Sequence, residues 1–361
     1  QYEEAEKVLK QVIELQPECV EALNNLGSIL TGMENYEEAK DILNRSIEIN
    51  SHNAEALSNL GDVYRKLNEH EQAIDHYKRA IEINPTQVQA YNNLGLCYEK
   101  LSEHEQAIDH YKQAIKIKPN YYEAFNNMGL ALTELEKYSE AEKILKQAIK
   151  ISPKQVEAYS NLGNVYHKVE HFHKAIKYHK KVIELKPNFW KSYFNLGCVY
   201  RSMEDYSQAI LEYEKAIEIN PDYFESYNGM GVAFRENQQY EEAEKILKHA
   251  IKLNPKFAEA HYNLGSVLRL IGDNKKSIHY QKLAAALDPN SVVFLHSLLF
   301  SMNYSPNMSA EEIFGYYKQF DQRFGLPHKN KWKTFTQPKV PKNKLKIGYV
   351  SPDFVEHSMM R

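Results

Sequence analysis

Residues 60–95 read LGDVYRKLNEHEQAIDHYKRAIEINPTQVQAYNNLG, opening on Leu60-Gly61 and closing on the same pair at Leu94-Gly95. Between them stand a small residue, Ala73, and a proline, Pro85, each twelve positions after the previous landmark. Outward from this stretch the pair recurs every 34 residues, as Leu26-Gly27, Met128-Gly129, Leu162-Gly163, Leu196-Gly197, Met230-Gly231 and Leu264-Gly265. The small residue recurs as Ala39, Ala107, Ala141, Ala175, Ala209, Ala243 and Ser277. Proline recurs as Pro119, Pro153, Pro187, Pro221, Pro255 and Pro289, and only Ser51 breaks that series. The segment Glu69 to Lys78 returns unchanged at Glu103 to Lys112.

Each landmark has a physical task. Apolar residues fall at helical spacing, as in Tyr91, Leu94 and Tyr98, then Ala107, Ile108, Tyr111, Ala114 and Ile115. Each unit therefore reads as two short amphipathic helices. The glycine lies inside the first, where it costs about 1 kcal/mol relative to alanine. That cost is tolerable if the missing side chain lets the second helix approach closely at its alanine. Proline ends the second helix, because it lacks an amide hydrogen and restricts the residue before it. Asn50, Asn84, Asn220 and Asn254 precede these boundaries and suit left-handed helix ends.

The Leu-Gly, Ala and Pro landmarks at a 34-residue period resemble the tetratricopeptide-repeat family over residues 1–291. The expected fold is all-α, a right-handed superhelical solenoid of helix pairs, with eight full repeats from about Val20. Residues 1–19 read as the second helix of an earlier repeat, with Ala5 and Pro17 at its landmarks. A solenoid normally ends in a polar capping unit, so further repeat sequence is expected ahead of Gln1.

One position before each Leu-Gly pair stands an asparagine: Asn25, Asn59, Asn93, Asn127, Asn161, Asn195 and Asn263, with Gly229 the exception. In the family the first helices line the concave surface, so the resemblance places these amides along an inner groove. A primary amide donates and accepts at once and can pair with both polar groups of a peptide backbone. Packed helices lie about 10 Å apart and an extended chain rises about 3.3 Å per residue, so one amide meets every third residue or so. The competing reading gives these asparagines a structural role between helices. The residue before each is Asn24, Ser58, Asn92, Asn126, Ser160, Phe194, Asn228 or Tyr262, never the lysine of carboxylate-clamp repeats. Arg201, Arg235 and Arg269 share one helical phase and read as solvated surface charge. His167 and His171 stand four apart across a predicted turn and read as exposed, with no third metal ligand fixed by spacing. Cys97 and Cys198 read as small packing residues.

Composition limits the partners. The 45 basic and 48 acidic residues leave a net charge of -3, which offers no general attraction to nucleic acid. Three scattered cysteines form neither a disulfide framework nor a zinc site, and no metal or cofactor is expected. A reducing compartment follows, cytoplasmic, or nucleocytoplasmic in a eukaryote. No run of eighteen apolar residues suggests a membrane span. Extended polypeptides are the expected partners. Apolar residues on the second helices are candidates for a homodimer contact or for inter-repeat core.

After Pro289 the pattern decays. Residues 292–327 read as degenerate capping helices: Leu298-Leu299 replaces the landmark pair, and Ser309-Ala310-Glu311-Glu312 forms a capping box for a helix ended by Gly325 and Pro327. Residues 328–344 hold six lysines and no acid, and read as a Lys/Pro linker. Leu345 to Val350 then has a strand pattern closed by Ser351-Pro352. A strand needs partners for its backbone groups, so residues 345–361 are expected to open a further, α/β domain.

The segment KIGYVSPDFVEHS, Lys346 to Ser358, resembles the opening of the catalytic region of protein O-linked N-acetylglucosamine transferases and of Spindly-type O-fucosyltransferases. His296 to Pro306 resembles the joining region of bacterial-type members. This resemblance implies an inverting transferase of two Rossmann-like halves. It would move a sugar from a nucleotide donor, a substrate rather than a cofactor, to serine or threonine of a peptide in the groove. His357 matches the histidine of that family's first active-site loop, with an acid–base or positioning role. The nucleotide-binding residues would follow Arg361, so this chain alone is expected to transfer no sugar. The alternative is a stand-alone repeat adaptor or co-chaperone.

Overall fold

The structure, a computed structural model, describes residues 2–305 and 308–331. Among the described residues it is all-helical. Helix α1, Tyr2–Leu15, precedes eight helix pairs in which every first helix has 13 residues and every second has 14. The first helices are α2 Val20–Gly32, α4 Ala54–Lys66, α6 Val88–Lys100, α8 Tyr122–Glu134, α10 Val156–Lys168, α12 Trp190–Ser202, α14 Phe224–Glu236 and α16 Ala258–Leu270. The second helices are α3 Tyr36–Ile49, α5 His70–Ile83, α7 His104–Ile117, α9 Tyr138–Ile151, α11 Phe172–Leu185, α13 Tyr206–Ile219, α15 Tyr240–Leu253 and α17 Asn274–Leu287. Helices α18, Val292–Asn303, and α19, Ala310–Phe320, follow. The Ser309 hydroxyl caps α19 by accepting from the Glu312 amide at 3.1 Å. Helix α19 closes earlier than Gly325, giving way to a π-helical turn at Asp321–Gly325.

The repeat landmarks form the seam of each pair. Ala39, Ala73, Ala107, Ala141, Ala175, Ala209 and Ala243 are wholly buried. The close neighbour of the glycine, however, is the residue one helical turn beyond the alanine. A Cβ at Gly27 would lie 2.4 Å from Leu43, at Gly61 2.8 Å from Tyr77, and at Gly129 2.5 Å from Leu145. Glycine is thus kept where a large side chain of the partner helix crosses its backbone. In the eighth repeat Ser277 replaces alanine and donates to the Gly265 carbonyl at 2.7 Å.

The left-handed residue does not fall where the asparagines suggest. Asn50, Asn84, Asn220 and Asn254 have φ between -137° and -128°, an extended backbone. The proline that follows three of them excludes helical geometry before it. Asn50, Asn84 and Asn254 instead turn their side chains onto the amides of His52, Thr86 and Lys256 at 3.1–3.2 Å. Positive φ occurs inside each repeat, between its two helices, at Glu34, Asn68, Ser102, Glu136, Glu170, Glu204, Gln238 and Gly272. There the next amide reaches back to close a Schellman turn, as Asn35 does to the Leu30 carbonyl at 2.9 Å.

Each first helix packs on its own second helix and also touches the first helix of the next repeat. Among the described residues, no two successive second helices make comparable contact. A stack whose first helices crowd while its second helices spread is curved, with the first helices on the inside. That curvature positions the asparagine row.

Candidate functional site

Five of the seven inner-face amides are not free ends. Asn127 donates its Nδ2 to Asn92 Oδ1 at 3.1 Å, Asn161 to Asn126 Oδ1 at 2.9 Å, and Asn263 to Asn228 Oδ1 at 2.9 Å. Each bond runs to the preceding repeat and ties neighbouring first helices together. Asn92 and Asn126 in turn donate to Asn93 Oδ1 and Asn127 Oδ1 at 3.2 and 3.4 Å. The row is therefore a ladder of paired amides, built from Asn-Asn doublets.

Where the doublet is missing, or its amide is engaged elsewhere, the bond is redirected. Ser58 is too short to meet Asn93, which donates to Asp62 Oδ1 at 2.8 Å. The Asn24 amide is engaged with Ser46 and Asn53, so Asn59 reaches only its backbone carbonyl, at 3.5 Å. Asn195 faces the register of Ser160 and has no side-chain hydrogen bond among the described residues. Asn25, the most exposed of the row, lines a shallow hollow with Ala5, Val8 and Leu9 of α1. At Gly229 a Cβ would lie 2.8 Å from the Tyr213 ring, so the ring occupies the space a side chain would use. An amide carries two N–H donors and two acceptor positions, so those in the ladder retain capacity toward a ligand.

Asp62 was not singled out by the repeat pattern, yet it is a hub. It accepts from the Tyr77 hydroxyl at 2.5 Å, from Asn93, and from Arg65 at 3.3 Å. Burial, then the Asp62 charge, pushes the Tyr77 hydroxyl far above the ordinary tyrosine range. The signal available in the sequence was an acid three residues before an arginine on an inner helix.

Four residues after each glycine a second row runs along the inner helices: Thr31, Arg65, Glu99, Thr133, His167, Arg201, Arg235 and Arg269. Burial pushes the Glu99 carboxyl up to about 7, with Glu134 adding to the rise and Lys100 opposing it. His167 is half-buried rather than exposed, because it lies in the last turn of α10 against α12; its Nε2 is 2.9 Å from Ser202 Oγ. Burial, then Arg201 and Lys168, lowers its imidazole below the usual range. His171 is exposed at the N-terminus of α11. The three arginines also differ from simple solvated charge: each is only partly exposed, with Nε of Arg201 and Arg269 buried and unpartnered among the described residues.

Cys97 is buried and its thiol is pushed up to about 12 by burial, while Cys198 Sγ accepts from the Tyr213 hydroxyl at 3.3 Å. Among the described residues no three His, Cys, Asp or Glu side chains gather as a metal site. None of the described helices is long and apolar enough to cross a membrane. His357 and the strand pattern at 345–350 lie outside the described residues.

Family models for the tetratricopeptide repeat match residues 18–86, 88–121, 110–143, 156–189, 180–210 and 258–291. A further TPR repeat model matches 129–169, 197–237 and 233–272. Comparison with curated proteins gives no match. Among solved structures, the Cut9–Hcn1 hetero-tetramer of the APC/C is similar over 82% of this chain and 58% of its own, at 15% identity and a TM-score of 0.57. That likeness concerns the fold. YrrB, described as a TPR protein with an unusual peptide-binding site, covers 51% of this chain and 95% of its own, at 24% identity and a TM-score of 0.42. MamA covers 48% and 94%, at 28% identity and a TM-score of 0.41. With repeat models running from residue 18 to 291 on a stack of eight helix pairs, the chain belongs to the tetratricopeptide-repeat family.

Proposed function

We propose that this chain is the polypeptide-recognition arm of a protein O-glycosyltransferase. The observation that carries the binding reading is the amide ladder on the inner first helices. Five of its seven asparagines are held by a hydrogen bond in a fixed register. Ordered amides one repeat apart can grip a peptide backbone whatever its side chains, at little entropic cost.

The transferase reading is supported by the resemblance of Lys346 to Ser358 to the opening of that family's catalytic region. On this reading a serine or threonine hydroxyl attacks the anomeric carbon of a nucleotide sugar with inversion. The nucleoside diphosphate leaves, and the hydroxyl proton passes to a base. His357 is the candidate for acid–base or positioning work, since a neutral imidazole can relay a proton near pH 7.

The test is transfer of radiolabelled sugar by the full gene product from UDP-N-acetylglucosamine or GDP-fucose to an acceptor polypeptide. Transfer that falls with His357→Ala, and falls again when Asn127 and Asn161 become alanine, supports the reading. Peptide binding without transfer from either donor leaves a repeat adaptor instead.

A further inference from the structure

The second inner row changes character along the solenoid. In the early repeats its charges are answered locally. Arg65 bonds Asp62 and the Tyr77 hydroxyl at 3.3 Å, and Glu99 lies near Lys100. From α10 onward the row reads His167, Arg201, Arg235 and Arg269. Arg201 stands among His167, Cys198 and Tyr213, with no carboxylate bonded to it among the described residues. Arg269 rests on the Phe300 ring at 5.3 Å and has no carboxylate partner there either. Only Arg235 is answered, by its neighbour Glu236, and it also donates to Asn263 Oδ1 at 3.2 Å.

Arg201 and Arg269, which flank the answered Arg235, are thus partly buried guanidiniums with unused donors, a costly arrangement because desolvated charge wants a counter-charge and forked partners. Carboxylates satisfy both demands bidentately. Helices in contact lie about 10 Å apart. A polyproline-II chain turns once every three residues and rises about 3.1 Å per residue, so every third side chain meets the same face about 9 Å on. One step of the stack, from α12 to α14 to α16, is therefore of the same order as that period. Asn195, on the same helix as Arg201, is partly exposed and has no side-chain hydrogen bond among the described residues, so its amide is available to the backbone of such a chain.

We infer that Arg201, Arg235 and Arg269 form a specificity row that selects extended polypeptide segments with a carboxylate at every third residue. This rests on the inner face being a polypeptide-binding surface and names the chemistry it prefers. A nucleic-acid backbone is the less favoured partner, because three isolated guanidiniums on a chain of net charge -3 make no continuous basic stripe.

The test is fluorescence anisotropy of the chain with labelled (Glu-Ala-Pro)5, its glutamine and lysine counterparts, and oligo-dT. The glutamate peptide is expected to bind about tenfold tighter than the glutamine one, with affinity falling as salt rises. Replacing the three arginines by glutamine should abolish that preference, and replacing them by lysine, which keeps the charge but loses the fork, should weaken it. The lysine variant keeps the test decisive if the glutamine variant misfolds. Equal binding of glutamate and glutamine peptides, or preference for the lysine peptide or oligo-dT, overturns the acidic specificity and leaves a peptide scaffold intact or replaced. Binding of none of the probes overturns the scaffold reading as well.

Discussion

The ring of His179 lies against the backbone of Gly163, so that a Cβ added there would meet Cε1 and Nε2 at 2.7 Å. The histidine is wholly buried, and neither ring nitrogen has a partner among the described residues. At the same place in other repeats stand Leu43, Leu145 and Leu247, each against its own glycine. Leaving a buried polar group unsatisfied costs about 1–3 kcal/mol. His179→Leu is therefore expected to stabilise the solenoid by about 1–2 kcal/mol, read as a higher denaturant midpoint. Burial holds the folded imidazole down at about 3, against 6.5 for the free group. The unfolded chain then binds the proton first. Stability is complete above pH 6.5 and is lost as pH falls from there toward 3. A leucine variant whose melting temperature drops as steeply with acid as the parent's would refute this assignment.

Two glycines of different kinds separate packing from backbone conformation. Alanine at Gly129 gains about 1 kcal/mol of helix propensity, but its Cβ would sit 2.5 Å from Leu145. Overpacking of that kind costs about 1–3 kcal/mol, so a net loss of stability is expected in thermal melts. At Gly272 nothing lies within 4 Å, but φ is +85°. Gly272→Ala should therefore lose about 1 kcal/mol through the backbone alone. Conversely, Gln238→Gly, at φ 61°, should gain a few tenths of a kcal/mol after the entropy of glycine is subtracted. A neutral Gly129→Ala would show that Leu145 yields freely.

The amide ladder predicts that equivalent asparagines are not equivalent in energy. Asn127 bonds both Asn92 and Asn126, whereas Asn195 has no such bond. Alanine improves helix propensity by about 0.6 kcal/mol at either site. Losing the ladder bonds costs about 1 kcal/mol or more. Asn127→Ala should thus destabilise, and Asn195→Ala should be neutral or slightly stabilising. Equal shifts in chemical denaturation at both sites would mean that the ladder adds nothing to stability.

The helix pairs were legible because the 34-residue spacing of Gly61, Ala73 and Pro85 encodes backbone events that repeat identically. What the landmarks did not reveal was which side chain the glycine serves. Leu43, Tyr77, His179 and Gln281 differ so much in chemistry that they do not read as one position. The left-handed turn was obscured for a similar reason. Its φ near +60° is taken by glutamate, glutamine, serine and asparagine, and the Schellman bonds rather than the residue type hold it. Asn84 drew attention instead, although Pro85 forces it extended. On the inner face the asparagine row was visible as a periodic residue. Its bonding to Asn92, Asn126 and Asn228 depends on the curvature that brings first helices together, which no single repeat encodes.

Glu99 opposes His179 in its response to pH. Burial and the nearby Glu134 push its carboxyl up to about 7, from 4.5 for the free group; Lys100 and the Tyr111 hydroxyl, close by but short of hydrogen-bond geometry, pull the other way. Here the folded chain holds the proton more tightly than the unfolded one. Its contribution is complete below pH 4.5 and is lost as pH rises through 7. Glu99→Gln removes the ionisation while keeping the shape. The variant should match the parent near pH 4.5 and melt at a higher temperature at pH 8. With His179 weakening the fold below pH 6.5 and Glu99 weakening it above 4.5, the parent should be most stable in the mildly acidic range. Two substitutions then test the two limbs separately: His179→Leu should flatten the acid limb and Glu99→Gln the alkaline one. If Glu99→Gln leaves the melting temperature at pH 8 unchanged, the carboxylate is solvated there and the alkaline limb belongs to another group.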